Sequence, residues 1–204
     1  MADLVIHLIG LVTALFGGGV LLGLALGLGR LSQAGAVGVY AGGLLMMLGF
    51  STAYNFATER RRPLFRRLDH AGIFLMIAGS YTPFTTHVLT GAWAWGMTLA
   101  VWAIALLGAL GKLLLPGMGR RVWIGLYLAL GWIVLVALKP IVEGLSWVTL
   151  MLLALGGVVY TTGIFFYVNK RLKYYRAIWH GHVVAAAGVH WVAILTGVVL
   201  ASAH

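Results

Sequence analysis

The chain has 204 residues, 62% of them hydrophobic and 9% charged, with a formal net charge of +10. The 14 Lys and Arg and 4 Asp and Glu are too few to cover a water-facing globule, so a soluble domain is excluded and lipid must cover much of the surface. With no cysteine, disulfides, thiolate metal sites and a cysteine nucleophile are excluded too, and any metal must rest on His, Asp or water.

Charged residues divide the sequence into apolar runs, and a bilayer core of about 30 Å needs roughly 20 helical residues to cross it. The first run, Leu4 to Gly29, has no Lys or Arg before it and is longer than a signal-peptide core, so it is expected to remain as a span. Leu31 to Thr58 is the second. From His70 to Gly111 there are 42 residues without Asp, Glu, Lys or Arg, too many for one crossing, so this stretch is expected to hold the third and fourth spans. The break is expected within Pro83 to Gly91, where Pro83, Thr85, Thr86, His87, Thr90 and Gly91 gather. Val122 to Leu138, a shorter run that can extend a little at its ends, then Leu145 to Asn169 and Ala177 to His204 complete seven spans. The expected fold is therefore an all-α seven-transmembrane bundle, a single domain over residues 1–204.

Orientation follows from the basic residues, because short cytoplasmic loops hold an excess of Lys and Arg. Arg60, Arg61, Arg62, Arg66 and Arg67, then Lys112, Arg120 and Arg121, then Lys170, Arg171, Lys173 and Arg176 fall on one side, leaving Arg30 and Lys139 on the other. This bias predicts a cytoplasmic N-terminus and an external C-terminus. It also accounts for the net charge without nucleic acid, with anionic lipid at the Arg60 to Arg67 loop as the alternative use of the charge. The glycines, including Gly17-Gly18-Gly19, the Gly19, Gly23, Gly27 series and Gly156-Gly157, are expected to let helices pack closely.

Ionisable groups within spans are costly and mark candidate function. Asp69 beside His70 opens the third span, Ser51, Tyr54 and Asn55 end the second, and Arg176, His180 and His182 open the seventh, all at similar depth. Ser51 and Asn55 share a helix face, as do Arg176 and His180, while His182 projects away from His180. Asp69 has two readings: an N-cap for the third helix, or a member of a polar cavity with Ser51, Asn55, Arg176 and His180. His190, deeper in the seventh span, and His7 in the first are expected to make interhelical hydrogen bonds. His87 and His204 are expected to be solvated.

The run Leu68-Asp69-His70-Ala71-Gly72-Ile73, followed by Ile77 to Phe84, resembles the third-helix signature of the hemolysin III branch of the PAQR (progestin and adipoQ receptor) family. His7 to Gly10, Ser51-Thr52-Ala53-Tyr54, Lys139-Pro140, Gly156-Gly157 through Tyr160 and Gly163, and Ile178-Trp179-His180 with His190 extend the resemblance over nearly the whole chain. The resemblance implies seven helices with the N-terminus inside. It also implies a zinc ion near the cytoplasmic side, held by one His of the second helix and a His-x-x-x-His pair opening the seventh, supported by a Ser and an Asp. Ser51, Asp69 and His180 match that pattern, but Asn55 and Arg176 stand at two of the three His positions. Zinc prefers His, Cys or carboxylate, and a cationic Arg cannot coordinate. No cofactor is therefore expected; the residual metal arrangement would rest on His180 and Asp69.

The leading functional reading is a hemolysin III-like protein of a bacterial inner membrane, in contact with membrane lipids, whose polar cavity near the cytoplasmic side serves lipid binding, sensing or membrane homeostasis. The alternative is a metal-dependent lipid amide hydrolase with a rearranged site, in which His180 and Asp69 recruit His182 or His70. A pore-forming hemolysin ranks third, because the mid-helix faces are mostly Leu, Val, Ala and Gly. Arg176 is expected to replace the metal by pairing with Asp69, directly or through one water, with Asn55 and His180 completing the hydrogen bonds; the alternative is that Arg176 joins the basic belt at the lipid headgroups.

Overall fold

In lipid a backbone must satisfy its own hydrogen bonds, and each long apolar run here does so as a helix. The computed structural model describes residues 2–115 and 117–201; His204 lies outside them. In order these form α1 (Ala2–Gly27), α2 (Leu31–Phe56), α3 (Arg62–His87), α4 (Gly91–Leu114), α5 (Arg120–Gly131), a 3₁₀ segment (Ile133–Ala137), α6 (Leu138–Gly144), α7 (Trp147–Val168) and α8 (Tyr175–Ile194). A π-helical segment, Leu195–Val199, continues α8. No strand occurs among the described residues. Among the described residues six stretches are long and apolar enough to cross a membrane: α1, α2, α4, α7, Arg120–Gly144 and Tyr175–Val199. Leu15, Phe16, Leu107 and Phe165, each more than half exposed, lie on outward faces, as lipid contact requires.

α3 is as long as α1 and α2 but opens with Arg62, Arg66, Arg67 and Asp69, and it is not among those six. It packs against α2, α4, α5 and α8, which makes it the central helix. One apolar cluster joins α1, α2 and α8 through Leu21, Tyr40 and Ile194 and takes Met76 from α3. The other joins α4, α5 and α6 through Val101, Leu130 and Ile141 and takes Phe74 from α3. Polar contacts link the helices of the first cluster: the Tyr40 hydroxyl donates to the Ala187 carbonyl at 3.2 Å, and Trp191 Nε1 donates to the Gly17 carbonyl at 2.8 Å. At the opposite end from the basic belt, Arg30 donates to the carbonyls of Val199 and Ala201, both at 2.8 Å, and so caps the π segment's orphan acceptors.

Several expectations change in detail. The third helix starts at Arg62, with Pro63 in its first turn, rather than at Asp69, because Arg sustains a helix beyond the lipid core. Asp69 is therefore two turns inside α3 and is not its N-cap. The break does fall within Pro83 to Gly91, at Val88 to Thr90: α3 runs through Pro83 to His87, and Gly91, whose φ of +54° suits glycine, follows the turn. Thr82 and Thr86 each donate to the carbonyl four residues earlier. The fifth stretch does not end at Leu138 but continues through the 3₁₀ turn to Gly144. Gly19, Gly23 and Gly27 are exposed with nothing opposite them, whereas Gly18 faces Ala41 and Gly156 lies against the His190 ring. The expected packing role therefore holds for Gly17, Gly18, Gly156 and Gly157 but not for the Gly19, Gly23, Gly27 series.

Candidate functional site: a polar chamber and a carboxylate with two imidazoles

Because helices alternate in direction, the starts of α1, α3, α5 and α8 meet the ends of α2, α4 and α7 at one end of the molecule. There a cavity of about 360 Å³ has Ser51, Asn55, Asp69, Arg176 and His180 in its walls, together with His70. Ser51 and Asn55 come from one face of α2 and Arg176 and His180 from one face of α8, four residues apart in each case. The chamber is strongly basic: Arg66, Lys112, Arg120, Lys170 and Arg176 all line it against Asp69. Lys112 also stacks on the Trp123 ring at 4.6 Å, which steadies it at the wall.

Behind Ser51 and His180 lies a group that sequence reading missed. Asp3 and His7, at i and i+4 on α1, face His180, and their ligand atoms lie within 4.8 Å of one another. His7 is 1% exposed; its Nδ1 lies 2.7 Å from the Asp3 backbone carbonyl, which can only accept, so Nδ1 carries the proton. Its Nε2 then accepts, from the Ser51 hydroxyl at 2.9 Å and the Asn55 amide at 3.3 Å. His180 Nδ1 meets Asp3 Oδ1 at 2.5 Å, and its Nε2 is 3.5 Å from Ser51 Oγ. The two imidazoles stand edge to face, 4.2 Å between centroids. The interhelical bond expected of His7 is present. The signal for Asp3 was its spacing from His7, an acid and an imidazole on one helix face.

The remaining candidates separate. Arg176 makes no ion pair with Asp69; its Nε donates to the Tyr175 hydroxyl at 3.1 Å. Asp69 lines the chamber together with His180 but is not a member of the three-residue group. His182 turns away as expected, donating from Nδ1 to the Ile178 carbonyl and packing 5.0 Å from Phe166. His190 approaches the Leu153 carbonyl of α7 at 3.4 Å, again interhelical. His87 is not simply solvated: it contacts Thr86 and Ser32. The zinc positions implied by the resemblance do not fit a metal here. The Asn55 amide nitrogen is spent on His7 and on the Ser51 carbonyl at 3.1 Å, and the Arg176 guanidinium points to Tyr175.

A second cavity, about 260 Å³, lies deeper between α3, α5, α7 and α8 and is lined mainly by apolar side chains such as Met76, Phe84, Leu135 and Leu150, with Thr85 and His190 among the few polar ones. Met47, Ile73, Tyr127, Ile164, Trp179 and Val183 belong to the walls of both cavities.

Apolar helices with outward hydrophobic faces around a basic inner chamber define a multi-pass membrane protein with an internal site. Residues 1–191 match the family model described as haemolysin-III related, and the chain belongs to that family. It is similar to the hemolysin-3 of Bacillus cereus, 31% identical over 82% of this chain and 77% of the relative. It is also similar to the hemolysin-3 homolog of Bacillus subtilis, 30% identical over 74% and 71% respectively. The human monocyte to macrophage differentiation factor is 28% identical over 76% of this chain and 67% of that protein, which carries the relationship to the PAQR proteins.

Proposed function

We propose that this protein binds an anionic amphiphile, with the charged head in the basic chamber and the hydrocarbon tail in the apolar cavity. The observation that carries the reading is the shared wall: Ile73, Tyr127, Trp179 and three further residues bound a cationic space on one side and an apolar space on the other. Five cations against Asp69 favour phosphate or carboxylate heads, since charge-assisted bonds from Arg and Lys to such oxygens are strong. Shape supports the same assignment, because a mostly apolar pocket with a few convergent polar groups is how proteins hold small ligands. In this reading α3 is the seventh span, the basic end is cytoplasmic, and the protein resides in a bacterial inner membrane, where it senses or buffers lipid composition. Metal-dependent hydrolysis of a lipid amide is the second reading, favoured by the Asp3, His7 and His180 group, and it requires that group to hold a metal.

Native mass spectrometry of protein released from mild detergent tests the proposal, with fatty acid and phosphatidylglycerol offered separately to tell the two anionic sources apart. Retention of either by the unmodified chain, and its loss in Ile73→Trp, supports the site. Equal retention of a zwitterionic lipid, or indifference to Ile73→Trp, sinks it.

A further inference from the structure

We infer that the apolar cavity selects an amphiphile whose hydrocarbon tail carries a hydroxyl near its middle, met by Tyr160 of α7 and His190 of α8. The inference rests on the amphiphile reading for the occupant of the cavity and names the class of tail. The two rings stand 5.7 Å apart between centroids, and both line the cavity. Their polar atoms differ from others in that wall. The hydroxyls of Ser80, Tyr81, Thr85, Tyr127 and Thr161 all donate to backbone carbonyls. Among the described residues the Tyr160 hydroxyl makes no hydrogen bond. It is not fully buried either, because among the same residues the one fully buried side-chain atom without a partner is Gln33 Oε1. The Tyr160 hydroxyl therefore opens onto the cavity that its ring lines.

His190 is held so that it complements this hydroxyl. Its Nε2 lies 3.4 Å from the Leu153 carbonyl, which can only accept, so Nε2 carries the proton and Nδ1 is an acceptor. A Cβ on Gly156 would collide with Cδ2 and Nε2 of the ring, so that edge lies against Gly156 and the Nδ1 edge faces away from it. Tyr160, one turn on from Gly156 along α7, projects beside the same ring. Among the described residues Nδ1 has no partner and, like the Tyr160 hydroxyl, is not fully buried. A tail hydroxyl satisfies both groups, donating to His190 Nδ1 and accepting from the Tyr160 O–H. A carbonyl or ether in the tail has no proton for Nδ1, and a plain hydrocarbon leaves both groups unpaired at a depth where that is costly. Sites built to hydrogen-bond a ligand hydroxyl reject the analogue that lacks it for this reason. Depth sets the position of the hydroxyl: His190 lies ten residues beyond His180 on α8, about 15 Å from the basic chamber, which is mid-tail for a long acyl chain. Trp179 Nε1 is also unpartnered among the described residues, but Trp179 adjoins His180 on the wall that both cavities share and so serves the head end.

The test uses the full-length protein in detergent and four probes: octadecanoic acid, the same acid with a hydroxyl on its twelfth carbon, and the methyl esters of both. Affinities are measured by isothermal titration. The hydroxylated member of each pair should bind about tenfold more tightly, equivalent to about 1.4 kcal/mol. Tyr160→Phe removes a single oxygen and should cut that ratio severalfold; because the ratio compares two ligands on one protein, a general loss of stability cannot imitate it. Equal affinity within each pair on the unmodified chain, as expected if water satisfies Tyr160 and His190, overturns the inference. A preference that survives Tyr160→Phe undiminished overturns it as well. The charged head is judged by the other comparison: acids that bind no better than their esters overturn the anionic-head reading and leave the hydroxyl preference standing. Acids that bind better than esters, with no hydroxyl preference, do the reverse, and binding of none of the four overturns both.

Discussion

His180 and Asp3, 177 positions apart, meet through Nδ1 and Oδ1 at 2.5 Å and tie the start of α8 to the start of α1. His7 and Ser51 extend the link to α2. Three helices are thus joined by polar contacts at the end of the molecule where the chamber opens, at a depth where an unpaired polar group is unfavourable.

Removing the carboxylate should loosen this junction. Asp3→Ala leaves His180 Nδ1 without its acceptor, and because both side chains are partly exposed the loss should be about 1–2 kcal/mol. Thermal unfolding in detergent measures it; an unchanged midpoint would show that the contact contributes nothing to holding α1 on α8.

Arg176→Ala should behave differently. Its guanidinium meets Tyr175 at the surface rather than Asp69, so stability should change by no more than about 0.5 kcal/mol. A loss of several kcal/mol in the same assay would mean that Arg176 does form a buried pair with Asp69.

Adjacent glycines on α1 give a paired test of packing. A Cβ on Gly18 would lie 2.9 Å from the Ala41 Cβ, while one on Gly19 meets nothing. Gly18→Val is expected to lower stability by about 1–3 kcal/mol and Gly19→Val to be close to neutral. Similar melting curves for the two variants would contradict this account of the α1–α2 contact.

Asn55→His introduces a third imidazole beside His7, which the Asn55 amide now contacts at 3.3 Å. On the metal-dependent reading, competition against a chelator should show zinc held about tenfold more tightly than by the unmodified chain, equivalent to about 1.4 kcal/mol. No gain in affinity would separate position 55 from the metal-binding group.

Orientation is open to direct measurement. The distribution of Lys and Arg predicts that a tag in the Arg60 to Arg67 loop is reached only from the cytoplasm and a C-terminal tag only from outside. Labelling of both from the same side would reduce the number of crossings to an even count.

What depends on solvent and on local spacing was legible in the order of residues. Too few charges for a water-facing surface meant lipid, long apolar runs meant helices, and i, i+4 pairs put Ser51 with Asn55 and Arg176 with His180 on common faces that do line one chamber. The third-helix run around Asp69 was enough to indicate the family. Helix ends were less legible: Arg62 to Asp69 lies inside α3 because charge marks where lipid ends, not where hydrogen bonding ends. Partners between helices were settled by the packing of the folded chain. Asp3 reads as an ordinary acid near a helix start until α8 folds back against α1 and puts His180 in front of it. Arg176 and Asp69 suit each other in charge and depth, yet the Arg176 side chain lies against Tyr175. Periodicity fixes which residues share a face of one helix, whereas which faces meet depends on crossing geometry and side-chain rotamers, quantities that no one segment of the chain contains.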